Sequence, residues 1–324
     1  KMVNVAKRME KIPPYLFARI DKKKEEARKR GMDLVDLSIG DPDIPTPKHI
    51  VEKMKEAVND PRNHRYPSYE GMIEFRKAVS EWYKRRFNVD LDPEKEVLTL
   101  LGSKDGISHI PFAFIDNGDL ALVPSPGYPV YRIMTYLAGG TPYVMPLKEE
   151  SDFLPNIDDI PQYIAEKAKI MFLNYPNNPT GACAPSEFYE RVIDFAKKYD
   201  IIVCHDAAYS EIYFDDLKPH SILEYDRKKE ISIEFHSLSK TYSMTGWRIG
   251  FVVGNREVIS ALGRLKTNID SGVFQAIQEA GIEALLGDQR CVDEIREIYR
   301  RRRDMLYEGL RSIGLNLKKP LATF

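Results

Sequence analysis

The sequence predicts an α/β fold in which a mostly parallel sheet is covered by helices. Two observations carry that expectation. Short apolar runs alternate with amphipathic, helix-like stretches through the middle of the chain, and polar motifs rich in Gly, Pro, Ser or Asn follow directly on the apolar runs. In such sheets ligands gather at the carboxyl ends of the strands, which is where these motifs would lie.

Taken in order, Val97–Leu101 reads as a strand that meets the turn Gly102-Ser103-Lys104-Asp105-Gly106 and then a helix over Ile107–Phe114. Leu120–Val123 is short and apolar and ends at Pro124-Ser125-Pro126. Ile170–Leu173 runs into Asn174–Gly181, and Glu187–Tyr199 has helical spacing. Ile201–Cys204 leads to His205-Asp206, Ile231–Phe235 leads to Ser237-Leu238-Ser239-Lys240, and Ile249–Val253 follows Arg248. Asp21–Lys29 and Glu294–Arg303 are rich in basic residues, but apolar or acidic residues recur in both at helical intervals, so each reads as a solvated helix face.

The 324 residues exceed one small domain and suggest a large domain with a smaller one. Lys and Arg number 48 against 49 Asp and Glu, a balance that argues against nucleic acid as the main partner. Cys183, Cys204 and Cys291 have neither metal-ligand nor disulfide spacing, so thiols in a reducing cytoplasm are expected and no metal. The N-terminal stretch shows no signal peptide, and no apolar run is long enough to cross a bilayer.

The chemistry concentrates in Ser237–Arg248. A lysine set among hydroxyls in a glycine-containing turn suits a Schiff base with a carbonyl cofactor, and Ser237, Ser239 and Arg248 could hold that cofactor's phosphate. Asp206 ends a buried strand, a costly place for a carboxylate without a partner. It either faces a protonated ring nitrogen or caps the next helix, and Tyr209 lies three residues on. Asn177-Asn178-Pro179-Thr180-Gly181 is a sharp turn in which Asn178 offers both a donor and an acceptor. Gly102-Ser103-Lys104 opens a helix, and its backbone N–H groups suit a phosphate or an ordinary cap. Tyr128, in Pro126-Gly127-Tyr128-Pro129, could stack on a flat ring or fill the core. Walker A and G-x-G-x-x-G patterns are absent.

Gly40-Asp41-Pro42, Tyr66, Gly102–Lys104, Pro126–Tyr128, Asn177–Gly181, Asp206 with Tyr209, and Ser-x-Ser-Lys240 with Arg248 occur in this order along essentially the whole chain. The set resembles the class I/II aminotransferases, fold-type I enzymes that use pyridoxal 5′-phosphate. Pro14–Phe17, Gly102–Lys104, Pro126–Tyr131, Cys204–Ile212 and Asn268–Gln278 are most similar to the LL-diaminopimelate aminotransferases within that group. The resemblance implies an N-terminal arm and first part of a small domain over 1–45, a large cofactor domain over 46–285, and the second part of the small domain over 286–324. It implies that Lys240 binds the cofactor and moves the proton, that Asp206 holds the ring nitrogen, and that Asn178 and Tyr209 bond the ring's 3′ oxygen. Ser103, the Lys104 backbone, Ser237, Ser239 and Arg248 would hold the phosphate, with Tyr128 on the ring. Tyr66 would reach the neighbouring subunit's phosphate, which requires a homodimer.

Substrate, an amino acid or a 2-oxo acid, would meet Tyr15, Gly40, the Lys104 side chain, Asn178 and, from the partner chain, Asn268. An LL-2,6-diaminopimelate donor and 2-oxoglutarate acceptor, in lysine biosynthesis, are what the closer resemblance implies. Aspartate, alanine or aromatic donors, or a carbon–sulfur lyase on the same fold, are alternatives. Related enzymes often have cis bonds at the turns matching Ser125-Pro126 and Asn178-Pro179. The family's chains continue beyond the position of Phe324 and there carry an arginine for the substrate carboxylate. No residue of this sequence is expected to take that role.

Overall fold

The computed structural model describes residues 3–14 and 16–324. They fall into two compact units, residues 1–42 and 43–324. In the first unit, α1 (Leu16–Lys29) covers the basic run at Asp21–Lys29. Within this unit Lys24 on α1 bonds Asp21 at 2.6 Å and Asp36 at 3.0 Å.

The second unit opens with α2 (Lys48–Val58) and α3 (Ile73–Phe87), then β1 (Val97–Leu100), α4 (Ser103–Phe114), β2 (Leu120–Ser125), α5 (Pro129–Leu137) and β3 (Thr141–Pro146). After the short α6 (Gln162–Ala165) come β4 (Ala168–Asn174), α7 (Ser186–Tyr199), β5 (Ile202–Asp206) and β6 (Ser232–Ser237). The single turn α8 (Leu238–Thr241), β7 (Gly250–Gly254), α9 (Arg256–Lys266), α10 (Gln275–Leu286) and α11 (Arg290–Ser312) complete the chain.

The seven strands form one sheet in the order β1-β7-β6-β5-β4-β2-β3. All pairings are parallel except those of β7, which runs antiparallel to both β1 and β6. The expected mostly parallel sheet is therefore present, with one reversed strand. That reversal matters for function. It brings the start of β7 to the carboxyl ends of β1 and β6, where Gly250 pairs with both Leu100 and Ser237.

Alternation along the strands divides the core in two. Ile170, Cys204, Ile233 and Phe235 point to one face and pack with Ile107 and Ile110 of α4, Tyr131 of α5 and Leu262 of α9. Met171, Val203 and Phe251 point to the other and pack with Phe75 of α3, Val192 of α7 and Ala280 of α10. The helices follow local rules. Asn255 caps α9 by accepting from the N–H groups of Glu257 and Val258 at 3.0 Å. The second basic run lies in α11, which buries Val292, Ile295, Tyr299 and Arg303 along one face. Its Arg303 is held by Asp215 at 2.8 Å.

Strand β3, at the sheet edge, went unanticipated because its burial is only partial and two prolines interrupt it. Ser125-Pro126 and Asn178-Pro179 are cis as expected, and Tyr175-Pro176 is cis as well. The cysteines are free thiols, and burial pushes Cys183 up to about 12 and Cys291 up to about 11. Among the described residues no cluster of His, Cys, Asp or Glu could hold a metal, and no helix is long and apolar enough to cross a membrane.

Candidate active site

Five strand ends and one strand start lie along the same edge of the sheet. The turn 101–104 follows β1, Tyr128 follows β2, Asn178 follows β4, Asp206 ends β5, and Lys240 sits one helical turn after β6. Arg248 precedes the antiparallel β7 and so arrives at the same edge from the opposite chain direction. The sequence placed the lysine in a loop before its next strand. Its position on α8, directly after β6, is what brings it to the carboxyl edge.

Asp206 is 6% exposed. Its Oδ2 accepts a hydrogen bond from the Tyr131 hydroxyl at 2.6 Å and its Oδ1 accepts from the Ala208 N–H at 3.4 Å. Burial raises its pKa, against the pull of the Tyr131 bond. A cation placed beside it would reverse that. Asn174 organises the neighbourhood: its amide donates to the Asp206 carbonyl at 2.9 Å, and its Oδ1 accepts from the Asn178 N–H at 3.0 Å. The Asn178 side chain donates to the Tyr209 hydroxyl at 3.0 Å. Burial pushes the Tyr209 phenol up to about 12, so at neutral pH it keeps its proton and can donate it. The Lys240 ammonium lies 5.9 Å from the Tyr209 ring centroid and 5.5 Å from that of Phe324.

A second group of residues forms an anion-shaped turn. Gly102 has φ +81°, and a Cβ there would stand 2.3 Å from Arg248 Nη2, so only glycine lets the guanidinium approach. Arg248 donates to the carbonyls of Leu101 at 3.3 Å and Thr245 at 2.8 Å, with its own backbone in the left-handed region at φ 55°. Ser237 Oγ accepts from the Ser239 N–H at 3.1 Å. The buried Ser239 hydroxyl has no hydrogen-bond partner among the described residues, which is costly unless a ligand supplies one. Ser103 begins α4, whose first N–H groups face outward from the helix start. An orphan hydroxyl, a guanidinium and a helix start fit a phosphate.

Tyr128 is partly exposed and makes an edge-on contact with Tyr131 at 5.9 Å, with the Lys104 ammonium 5.8 Å from its ring. Tyr66 is 88% exposed and Asn268 is exposed at the end of α9. Gly40 belongs to the 1–42 unit, and Tyr15 lies outside the described residues.

Three residues of the site carried no sequence expectation. Tyr131 falls in the quoted Pro126–Tyr131 stretch, three positions after Tyr128 and thus on the same helical face, a spacing that could have revealed it. Asn174 is the last residue of β4, and only the strand's end point reveals its role. Phe324 packs on Tyr299 at 4.6 Å and edge-on to Tyr209 at 5.7 Å, a contact between segments far apart in sequence.

The chain matches the family model described as aminotransferase class I and II over residues 32–324. It is 56% identical to the LL-diaminopimelate aminotransferase of Syntrophobacter fumaroxidans, over 98% of this chain and 82% of that protein. It is 55% identical to the enzyme of the same name from Aquifex aeolicus, over 100% and 84%. Among solved structures, substrate-bound BacF from Bacillus subtilis superposes with a TM-score of 0.95 at 37% identity, covering 99% of this chain and 82% of that one. A single mutant of Thermus thermophilus aspartate aminotransferase gives 0.93 at 30% identity, covering 100% and 84%. The chain belongs to the class I and II aminotransferases, a family of pyridoxal-phosphate enzymes.

Proposed function

We propose that this aminotransferase takes the amino group of LL-2,6-diaminopimelate, with pyridoxal 5′-phosphate as cofactor and 2-oxoglutarate as acceptor. The products are glutamate and an oxo acid that cyclises to tetrahydrodipicolinate, in lysine biosynthesis. The observation that carries the substrate is the 54–57% identity, across nearly the whole chain, to proteins named for that activity. The aspartate aminotransferase of the same shape is only 30% identical.

When bound, the cofactor supplies a carbonyl carbon that receives the amino group and a ring that takes up the electron pair of the broken α-C–H bond. The protein's part is holding, orienting and moving protons. Asp206 keeps a proton on the ring nitrogen, and its buried charge is relieved by doing so. Asn178 and Tyr209 donate to the ring's 3′ oxygen. Ser103, the Lys104 N–H, Ser237, Ser239 and Arg248 would hold the phosphate, and Tyr128 would stack on the ring. Lys240 Nζ would anchor the cofactor and, once freed by the incoming amino group, would take the substrate α-proton as base and pass it on as acid to the carbon that had carried the carbonyl. Gly40, Tyr15, the Lys104 ammonium and Asn178 meet the substrate. Tyr66 and Asn268, exposed on one chain, serve the neighbouring site of a homodimer.

A panel of amino donors with 2-oxoglutarate tests this. Transfer from LL-diaminopimelate with little from aspartate, alanine or tyrosine is the expected result. Equal transfer from those donors would remove the substrate claim, and pyruvate release from cystathionine without acceptor would replace transfer by elimination.

A further inference from the structure

Lys266, on the last turn of α9, is 1% exposed, a rare place for an ammonium. It donates to Asp105 Oδ2 at 2.9 Å and to Asp270. The two carboxylates lead in different directions. Asp105 closes the turn that bears Ser103 and Lys104: its Oδ2 accepts from the Leu101 N–H at 2.9 Å, and its Oδ1 bonds His109 at 3.0 Å. Asp270 shapes the loop after α9, where its Oδ1 accepts from the Gly272 N–H at 2.7 Å. Gly272 has φ +88°, and a Cβ there would stand 2.9 Å from Pro67 Cγ and from the Ser68 carbonyl. The loop is thus seated directly on the segment that carries Tyr66, and it includes Asn268.

We propose that Lys266 is a positioning strut that ties a subunit's own cofactor cup to Tyr66 and Asn268, the residues it lends to its neighbour. The proposal rests on the dimeric, pyridoxal-phosphate reading above. Filling one site and ordering the other then share a single buried ion triad. Removing the ammonium leaves two facing carboxylates that repel, so the cup and the lent loop both loosen.

Hybrid dimers with one live site separate the two arms. One subunit carries Lys240→Ala and the other keeps Lys240, and Lys266→Met is placed in either. The dissociation constant of pyridoxal phosphate at the live site, read from the cofactor's absorbance, should rise about tenfold in both placements. The KM for the amino donor on fully loaded enzyme should rise about tenfold when the substitution sits in the Lys240→Ala subunit, which lends Asn268, and by a clearly smaller factor, through Lys104, when it sits in the live subunit. Asp270→Asn keeps the bond to Asp105, so in the lending subunit it should raise KM and in the live subunit leave cofactor binding intact. It keeps the test open should Lys266→Met fold poorly. Equal KM changes from both placements, or none from either, would overturn the strut. Failure of the chain to dimerise, or full transamination by Lys240→Ala homodimers, would instead overturn the underlying reading.

Discussion

Two carboxylates on neighbouring strands, Asp206 of β5 and Glu234 of β6, are both buried and point to opposite faces of the sheet. Glu234 is fully covered and its oxygens are saturated. They accept from the Tyr83 and Ser221 hydroxyls at 2.7 Å each and from the Ile222 N–H at 2.9 Å, and they bond His205 at 2.7 Å and His236 at 3.2 Å. Burial alone would raise its pKa, but these partners carry it well below the usual carboxylate range. Asp206 has one short bond and one long one, and its pKa goes the other way. The fold therefore satisfies one buried carboxylate internally and leaves the other with capacity for a cationic ligand. Burial by itself does not mark a functional acid; the partner set does.

The largest effect should come from the unsatisfied member. Asp206→Asn is expected to lower kcat/KM by about a thousandfold while the protein stays folded, because the ring nitrogen loses its charged partner. Steady-state kinetics alongside a urea curve would check both halves. Glu234→Gln should reverse the pattern: about 3 kcal/mol of stability lost, with activity per folded molecule nearly kept. A Glu234→Gln protein that is inactive yet fully stable would break the comparison.

Cofactor removal probes the same contrast from the ligand side. Pyridoxal phosphate at a hundredfold excess over its dissociation constant should add about 2.7 kcal/mol to unfolding stability, measured by thermal or chemical denaturation. Acid titration supplies a sign test. Glu234 is depressed in the fold, so its contribution is complete above the ordinary glutamate value of 4.5 and fades as the pH falls below it. Asp206 is raised in the fold, so its ionisation costs stability at neutral pH and acidification removes that cost. The gap between wild type and Glu234→Gln should narrow below about pH 4.5, whereas apo Asp206→Asn should exceed apo wild type at pH 7 and lose that advantage in acid. The smallest effect is expected from Tyr131→Phe, about fivefold in kcat, because one hydrogen bond worth about 1 kcal/mol is lost from Asp206.

The central strands and the site lysine were legible because both depend on local pattern. A buried parallel strand reads as an apolar run, and the site residues follow at its end, as with Ile201–Cys204 and Asp206. The Glu234 network was not legible. Tyr83, His205, Ser221 and His236 come from four elements, and their convergence follows from strand order, which alternation alone does not specify. Phe324 beside Lys240 and the bond from Tyr131 to Asp206 are long-range for the same reason. Arg248 could be named from sequence, yet the reversed direction of β7 that delivers it could not.

Borohydride trapping of the cofactor on the holoenzyme, followed by peptide mass analysis, tests the central claim most directly. The phosphopyridoxyl mass should appear on the peptide containing Lys240 and on no other lysine. Label on Lys104 or Lys266, or none at Lys240, would contradict the account.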